Sequence, residues 1–203
     1  MKDWIKKHWL ICVIVAPGGL FVLAWFFFPK VREIFGRAVS FVIPVNATRG
    51  IRNNNPGNLR PEIGNNWVGQ IGTDESGSTG EFCKFDTPEN GLRAMGIIAL
   101  NYQVNDGITN LTDFGNRWAP PSDNAGASDY GEQLASTLGV NPQGAFDLLI
   151  GDPFQLWEIM KAISINENGK ALTVATYTDE IFKTGAAMAF AAKELQNPMT
   201  QTA

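Results

Sequence analysis

Glu167 is the residue of this chain whose position best suits acid chemistry. It lies in the run IMKAISINENG, where Leu156, Met160 and Ile163 precede it at helical spacing, so it prolongs the apolar face of a helix near its C-terminal end. Burial and the negative end of the helix dipole both favour the protonated form of a carboxyl group there. A protonated carboxyl can act as general acid in glycosidic cleavage. Alternatively, the side chain points past the helix end into water.

The second candidate centre is the run RGIRNNNPGNLR at residues 49–60, which we call the asparagine loop. Three consecutive asparagines followed by Pro-Gly-Asn exclude regular structure there. Amide side chains in such a loop can hydrogen-bond sugar hydroxyl or acetamido groups, or can tie the loop to itself. The candidate binding residues of this loop are Asn53, Asn54, Asn55, Asn58 and Arg60.

Aromatic residues complete the predicted binding surface. Trp67 lies in a W-x-G triplet, and Trp118 comes directly before Ala119-Pro120-Pro121. Indole rings stack on the faces of sugars, although a tryptophan before two prolines can equally fill the core. We include Tyr130 with these two residues in the predicted binding set.

Other glutamates are rivals to Glu167 because they are nearer to the asparagine loop in the sequence. An inverting hydrolase needs a second carboxylate to activate water, and Glu75 or Glu81 could supply it. A lytic transglycosylase needs no second carboxylate. The sequence leaves both reactions open, but its single strong candidate glutamate favours transglycosylase-like cleavage. The four rivals are Glu62, Glu75, Glu81 and Glu89.

Histidine and cysteine are too scarce for several other kinds of chemistry. The chain has one histidine, His8, and two cysteines, Cys12 and Cys83. These ligands are too few for a zinc site of the His/Cys type, and His8 and Cys12 fall in a segment with the pattern of a membrane anchor. The sequence therefore predicts no metal and no organic cofactor.

The N-terminal segment has the pattern of a membrane anchor. Residues 9–28 are twenty consecutive residues without a charge, which at ~1.5 Å per residue match a hydrocarbon core of ~30 Å. We predict a transmembrane anchor at residues 1–29, an interfacial helix and linker at residues 30–48, and a folded domain at residues 49–203. The alternative for the first segment is a cleaved signal peptide.

The distribution of charge separates these parts further. Residues 1–48 hold six basic and two acidic side chains, whereas residues 49–203 hold ten basic and eighteen acidic ones. An acidic domain without a basic face argues against nucleic acid as a partner. We therefore expect a neutral or weakly charged ligand for residues 49–203, together with a lipid bilayer for residues 9–28.

Residues 49–203 are predicted to be mainly α (α+β), with helices around one small hairpin. Thr87-Pro88 begins a helix that ends before Gly107, and Asp152-Pro153 begins another that ends at Asn168-Gly169. Further helices are predicted at residues 111–118, 128–138 and 178–195, the last rich in alanine and suited to central packing. The Gly- and Asn-rich stretch of residues 50–86 is predicted to contain the hairpin.

Several motifs resemble, in the same order, those of a family of phage-encoded proteins described as virion structural proteins or peptidoglycan-degrading lysins. They are RGIRNNNPGNLR, the triplet Trp67-Val68-Gly69, Phe82 with Phe85, and the runs TPENGLRA, RWAPPSDN and ENG. The resemblance covers about residues 49–170. It implies a lysozyme-like fold and peptidoglycan as the partner.

A second resemblance suggests roles for individual residues. Glu167-Asn168-Gly169 is similar to the E-S-G or E-N-G triplet that carries the acid in bacterial N-acetylglucosaminidases and lytic transglycosylases. Residues 54–60 and 67–69 resemble the loop and W-x-G hairpin of the glucosaminidases, in an order that a circular permutation would give. The resemblance implies that Glu167 folds back against the asparagine loop to form a cleft.

The sequence as a whole predicts a membrane-anchored enzyme that cleaves the glycan strand of peptidoglycan during phage penetration or host lysis. Its location would be a virion internal membrane or the host inner membrane, with the folded domain facing the cell wall and other virion membrane proteins as possible partners. Two alternatives remain open: a non-catalytic virion protein that keeps the fold, and an enzyme that cleaves the peptide cross-links.

Overall fold

A computed structural model describes residues 47–62, 64–74, 80–120 and 129–196 of the chain. These residues form seven helices and one two-stranded sheet, so the described part of the protein is mainly helical, as predicted. The elements are α1 (Arg49–Arg52), β1 (Gln70–Asp74), β2 (Phe82–Phe85), α2 (Pro88–Val104), α3 (Leu111–Trp118), α4 (Tyr130–Leu138), α5 (Leu156–Asn168), α6 (Lys170–Thr176) and α7 (Asp179–Gln196).

The predicted membrane anchor at residues 9–28 lies outside the described residues, as do residues 30–46 of the predicted interfacial helix and linker. Among the residues that the structure describes, no helix combines the length and the apolar character needed to cross a bilayer.

Helices α2 and α3 begin at the predicted positions, α2 after the predicted cap Thr87 and α3 after Asn110, which was not predicted as a cap. The Thr87 hydroxyl accepts a hydrogen bond from the Asn90 backbone N–H at 3.3 Å, and Pro88 occupies the first helical position. The Asn110 side chain accepts from the Asp113 N–H at 2.9 Å. Each cap satisfies an N–H group that has no partner within its helix, which is why both helices start at these positions.

Helix α5 begins later than predicted. Asp152 forms an isolated antiparallel bridge with Asp147, whose N–H donates to the Asp152 carbonyl at 2.7 Å. Because this bridge occupies the backbone of Asp152, the helix starts only at Leu156, where the Glu158 carboxylate accepts from the Gln155 N–H at 2.7 Å. Its end is as predicted. The helix ends at Asn168, before Gly169 with φ +82°, so Glu167 lies in the last turn.

Two further elements differ from the sequence prediction. Helix α4 begins at Tyr130, two residues after the predicted start. The short helix α6, which follows α5 directly, was not predicted at all. Its buried Thr173 hydroxyl donates to the Ser164 carbonyl of α5 at 2.9 Å, a contact that sequence periodicity does not reveal.

Helices α2 and α7 pack closely at the centre of the described fold. A Cβ atom on Gly185 would lie 2.4 Å from the Cβ of Leu92, and one on Gly96 would lie 2.8 Å from the Cβ of Ala189. Glycine and alanine therefore allow these helices to approach where larger side chains would clash. The prediction of a central, closely packed C-terminal helix is confirmed.

The asparagine loop runs beside the small sheet. Strands β1 and β2 are antiparallel, with Asp74 opposite Phe82 and Gln70 opposite Phe85. The N–H groups of Cys83 and Phe85 in β2 donate to the carbonyls of Leu59 and Asn53, each at 2.9 Å. The loop is therefore held along β2, and α5 contacts it through the residues described next.

Candidate functional site

The three consecutive asparagines fix the asparagine loop in place. Asn55 is fully buried, and its amide nitrogen donates to the carbonyls of Leu59 and Cys83, both at 2.9 Å. Its Oδ1 accepts from the Leu59 N–H at 2.8 Å. Asn53 donates to the Asp74 carboxylate at 3.0 Å, and Asn54 donates to the Phe85 carbonyl at 3.0 Å. These amides therefore tie the loop to itself and to the sheet.

Helix α5 is attached to the loop through the buried side chain of Asn168. Its amide nitrogen donates to the Pro56 carbonyl at 2.7 Å, while its Oδ1 accepts from the Thr48 hydroxyl. Gly50 leaves room for this junction, since a Cβ there would lie 2.6 Å from the Asn58 Oδ1 and 2.7 Å from the Asn168 Oδ1. The end of α5 thus has a fixed position against the loop.

The Glu167 carboxyl group contacts two donors from different parts of the fold. The Asn58 amide nitrogen donates to Oε2 at 2.8 Å, and the Tyr130 hydroxyl donates to Oε1 at 2.7 Å. A further hydrogen bond joins Tyr130 to Trp118, whose indole N–H can only donate. The contact between Glu167 and the asparagine loop that the motif resemblance implies is present.

The surroundings of Tyr130 favour its neutral, protonated hydroxyl group. Its pKa is raised well above the ordinary value, first by burial, then by the negative charge of Glu167 and by the hydrogen bond that it donates to Glu167. The hydrogen bond from Trp118 acts in the opposite direction. Because the neutral hydroxyl is favoured, an O–H group is available to donate to Oε1.

A cleft of about 530 Å³ opens beside this carboxyl group. Among the predicted residues, those that line it are Asn58, Arg60, Glu62, Trp67, Trp118 and Glu167. Asn53, Asn54 and Asn55 do not line it, and Tyr130 contacts Glu167 without lining it. The structure therefore brings one asparagine of the loop, both tryptophans and Glu167 together.

One wall of the cleft is a stack of aromatic rings. Trp118 lies parallel to the buried Phe114 at a centroid distance of 6.0 Å, and Tyr102 contacts Trp118 edge-on at 6.3 Å. Both Trp118 and Tyr102 line the cleft and are half-buried. Rings supported in this way offer a rigid apolar surface on which a sugar face could stack.

Sequence reasoning missed several residues that line the cleft, among them Arg49, Phe82, Tyr102 and Arg117. Tyr102 continues the apolar pattern of the helix that begins at Pro88, and Arg117 belongs to the run RWAPPSDN. Neither pattern distinguishes a residue that lines a cleft from one that packs in the core.

The rival glutamates occupy different places. Glu62 lines the cleft, is exposed, and accepts from the Asn65 amide at 3.2 Å. Glu81 is exposed and Glu89 lies in the first turn of α2; neither lines the cleft. Glu75 lies outside the described residues. Glu167 therefore combines partial burial with two oriented donors, which Glu62 lacks.

Among the residues that the structure describes, no group of three or more His, Cys, Asp or Glu side chains is arranged so that it could hold a metal ion.

No protein family model matches the sequence. The chain is similar to Protein P5 of Pseudoalteromonas phage PM2, with 33% identity over 96 residues. The match covers 46% of this chain and 58% of the length of the phage protein, which is less than two thirds. The similarity supports a phage origin for the chain.

Proposed function

We propose that this protein cleaves the glycan strand of peptidoglycan and that Glu167 is its catalytic acid. The observation that carries the proposal is the setting of Glu167. Its carboxyl group is half-buried at a cleft lined by two indole rings, and Tyr130 and Asn58 fix both of its oxygens. The two donors orient the carboxyl group, and the aromatic surface beside it can hold a sugar, so the arrangement suits a group that acts on a sugar strand first as acid and then as base.

In the proposed reaction, Glu167 gives its proton to the glycosidic oxygen as the C–O bond breaks. The carboxylate then takes a proton from the nucleophile, which is water or a hydroxyl group of the substrate. Tyr130 suits both stages because its hydroxyl can donate to the carboxylate and can rotate to accept from the carboxylic acid. Asn58 keeps the other oxygen in place through its 2.8 Å hydrogen bond.

The number of carboxylates at the cleft bears on the type of cleavage. An inverting hydrolase needs a second carboxylate about 6.5–9.5 Å from the acid to activate water. Glu62 is exposed and bonded to Asn65, whereas Glu167 is the carboxyl of the described cleft that is both partly buried and held by two donors. We therefore favour a transglycosylase-like reaction, in which a hydroxyl group of the substrate is the nucleophile.

The proposal includes a lysozyme-like fold for residues 49–203 and a bilayer anchor at residues 9–28. The mainly helical architecture with one small sheet supports the first part. The uncharged run of twenty residues supports the second. The protein would act in phage penetration or host lysis. It would be held in a virion internal membrane or in the host inner membrane, with the domain on the side of the cell wall.

The test is a digestion of purified peptidoglycan sacculi by the full chain in mild detergent, with detergent alone as the control. New sugar ends would be identified by mass spectrometry, and new free amines by chemical labelling. We expect 1,6-anhydro sugar ends and no new amines. New amines without new sugar ends would instead indicate cleavage of peptide cross-links. No soluble product from a folded chain would contradict the proposal and favour a structural virion protein.

A further inference from the structure

Positive charge is concentrated at the cleft of an otherwise acidic domain. Residues 49–203 contain five arginines, and three of them, Arg49, Arg60 and Arg117, line the cleft. The same residues hold eighteen acidic side chains against ten basic ones. The cleft arginines therefore do not belong to a general basic surface, and they differ in what their charges contact.

Two of these arginines are engaged by other protein groups. Arg49 donates from Nε to the Asp74 carboxylate at 3.0 Å and from Nη2 to the Gly80 carbonyl at 2.8 Å. Arg117 forms an ion pair with Asp106 at 3.4 Å. Arg49 and Arg117 are therefore bound to other groups of the protein in the walls of the cleft.

Arg60 is different. Its guanidinium carbon lies 5.5 Å from the ring centroid of Phe82, and its side chain is exposed at the cleft. No carboxylate of the described residues forms an ion pair with it. A guanidinium group that rests on an aromatic ring is restricted in orientation, yet its N–H edge stays available for two parallel hydrogen bonds to a carboxylate.

Arg60 lines the same cleft as the carboxyl group that we propose as the acid. It follows Asn58 by two residues, and Asn58 donates directly to Glu167. Two residues span at most about 7 Å of chain, so one short glycan strand in the cleft could contact both Arg60 and Glu167.

We propose that Arg60 selects glycan strands that carry a carboxylate on a sugar bound in the cleft. In peptidoglycan this carboxylate belongs either to the lactyl substituent of the muramyl sugar or to the peptide attached to it. The inference rests on the proposed function, since it names the substrate feature that the same cleft recognises. A bidentate, charge-assisted contact also offsets the repulsion between an acidic domain and an anionic substrate.

The test measures binding rather than cleavage, with full-chain Glu167→Gln as the background so that no probe is consumed. Three tetrasaccharides serve as probes: neutral chitotetraose, a peptide-free muramyl strand with its lactyl carboxylate, and the same strand with peptides. We expect the carboxylate probes to bind at least tenfold tighter than chitotetraose, and Arg60→Gln to remove this preference without weakening chitotetraose binding. Comparing the two muramyl probes identifies the source of the carboxylate.

Arg52→Gln is the matched control, because Arg52 belongs to the same loop, is exposed, and does not line the cleft. It is expected to leave all three affinities unchanged. Arg60→Lys keeps the charge but not the planar fork, so it should retain only part of the preference. Circular dichroism would verify that each variant is folded.

Three results would overturn the inference: equal affinity for neutral and carboxylate probes, a preference that survives Arg60→Gln, or no binding of any probe. Its failure is distinguishable from that of the proposed function. If the parent chain cleaves no sacculi but shows a preference that depends on Arg60, the enzyme proposal fails and the role of Arg60 stands. If sacculi are cleaved and the preference is absent, only the role of Arg60 fails.

Discussion

The Glu167→Gln variant is expected to lose glycan-strand cleavage by roughly 10²–10⁴-fold, the usual contribution of a positioned general acid or base. Glutamine keeps the size of the side chain and an oxygen that can accept from Tyr130, but it has no proton to give to the glycosidic oxygen. The variant should therefore stay folded and still bind sacculi. The measurement is the initial rate of release of soluble sugar products from purified sacculi.

Two matched glutamate variants make this result specific. Glu81→Gln changes an exposed glutamate that does not line the cleft, and it should cleave at the parent rate. Glu62→Gln removes the other carboxylate that lines the described cleft. A transglycosylase-like reaction predicts little change for it, whereas an inverting hydrolase predicts a loss as large as that of Glu167→Gln. Full activity in Glu167→Gln would contradict the assignment and leave Glu62, Glu75 and Glu89 as candidates.

The Asn55→Ala variant is expected to lower the free energy of unfolding by about 3 kcal/mol. Asn55 is fully buried, and alanine would leave the Leu59 N–H without the acceptor that it has at 2.8 Å. It would also remove the amide donor shared by the carbonyls of Leu59 and Cys83. Since domains are stable by only about 5–15 kcal/mol, this loss is large.

Denaturant unfolding of the full chain, followed by circular dichroism, measures this effect. The control is Asn65→Ala, which removes one exposed amide whose hydrogen bond to Glu62 is 3.2 Å long. It should change the free energy of unfolding by no more than about 0.5 kcal/mol. An Asn55→Ala variant as stable as the Asn65→Ala variant would contradict the view that the loop is held by its own amides.

Local signals in the sequence were enough to predict the helices that carry the site. Thr87 with Pro88 begins α2, and Gly169 ends α5 with Glu167 in its last turn. These signals work because a capping side chain bonds a backbone N–H within three residues, and because glycine readily adopts the positive φ at which a helix ends. Contacts between distant residues were not predictable in this way.

The start of α5 illustrates this limit. The backbone bridge between Asp147 and Asp152 delays the helix, and Gln103 of α2 supports that bridge. Its amide nitrogen donates to the Asp147 carboxylate at 2.6 Å, and its Oε1 accepts from the Leu148 N–H at 2.8 Å. Because Gln103 lies more than forty residues away in the sequence, no local pattern could have shown its influence.

The candidate site likewise combines features that the sequence predicts with contacts that it does not. The contact of Glu167 with the asparagine loop could be expected from the motifs, because their resemblance to known glycan-cleaving enzymes implies it. The roles of the individual asparagines could not be predicted, because an asparagine that binds a sugar and one that holds a loop in place look the same in the sequence. The hydrogen bond from Tyr130 and the stacking of Arg60 on Phe82 depend on the folded arrangement alone.

The claim on which the proposed function depends is that a glycan strand lies in the cleft against Glu167. Nuclear magnetic resonance of the ¹⁵N-labelled full chain, as Glu167→Gln in detergent, can test it by titration with a muramyl tetrasaccharide. We predict shifts of the indole N–H signals of Trp67 and Trp118, which line the cleft, and none for Trp157, whose indole donates to Gln155 outside it. Unchanged signals of Trp67 and Trp118 at a saturating strand concentration would contradict the account.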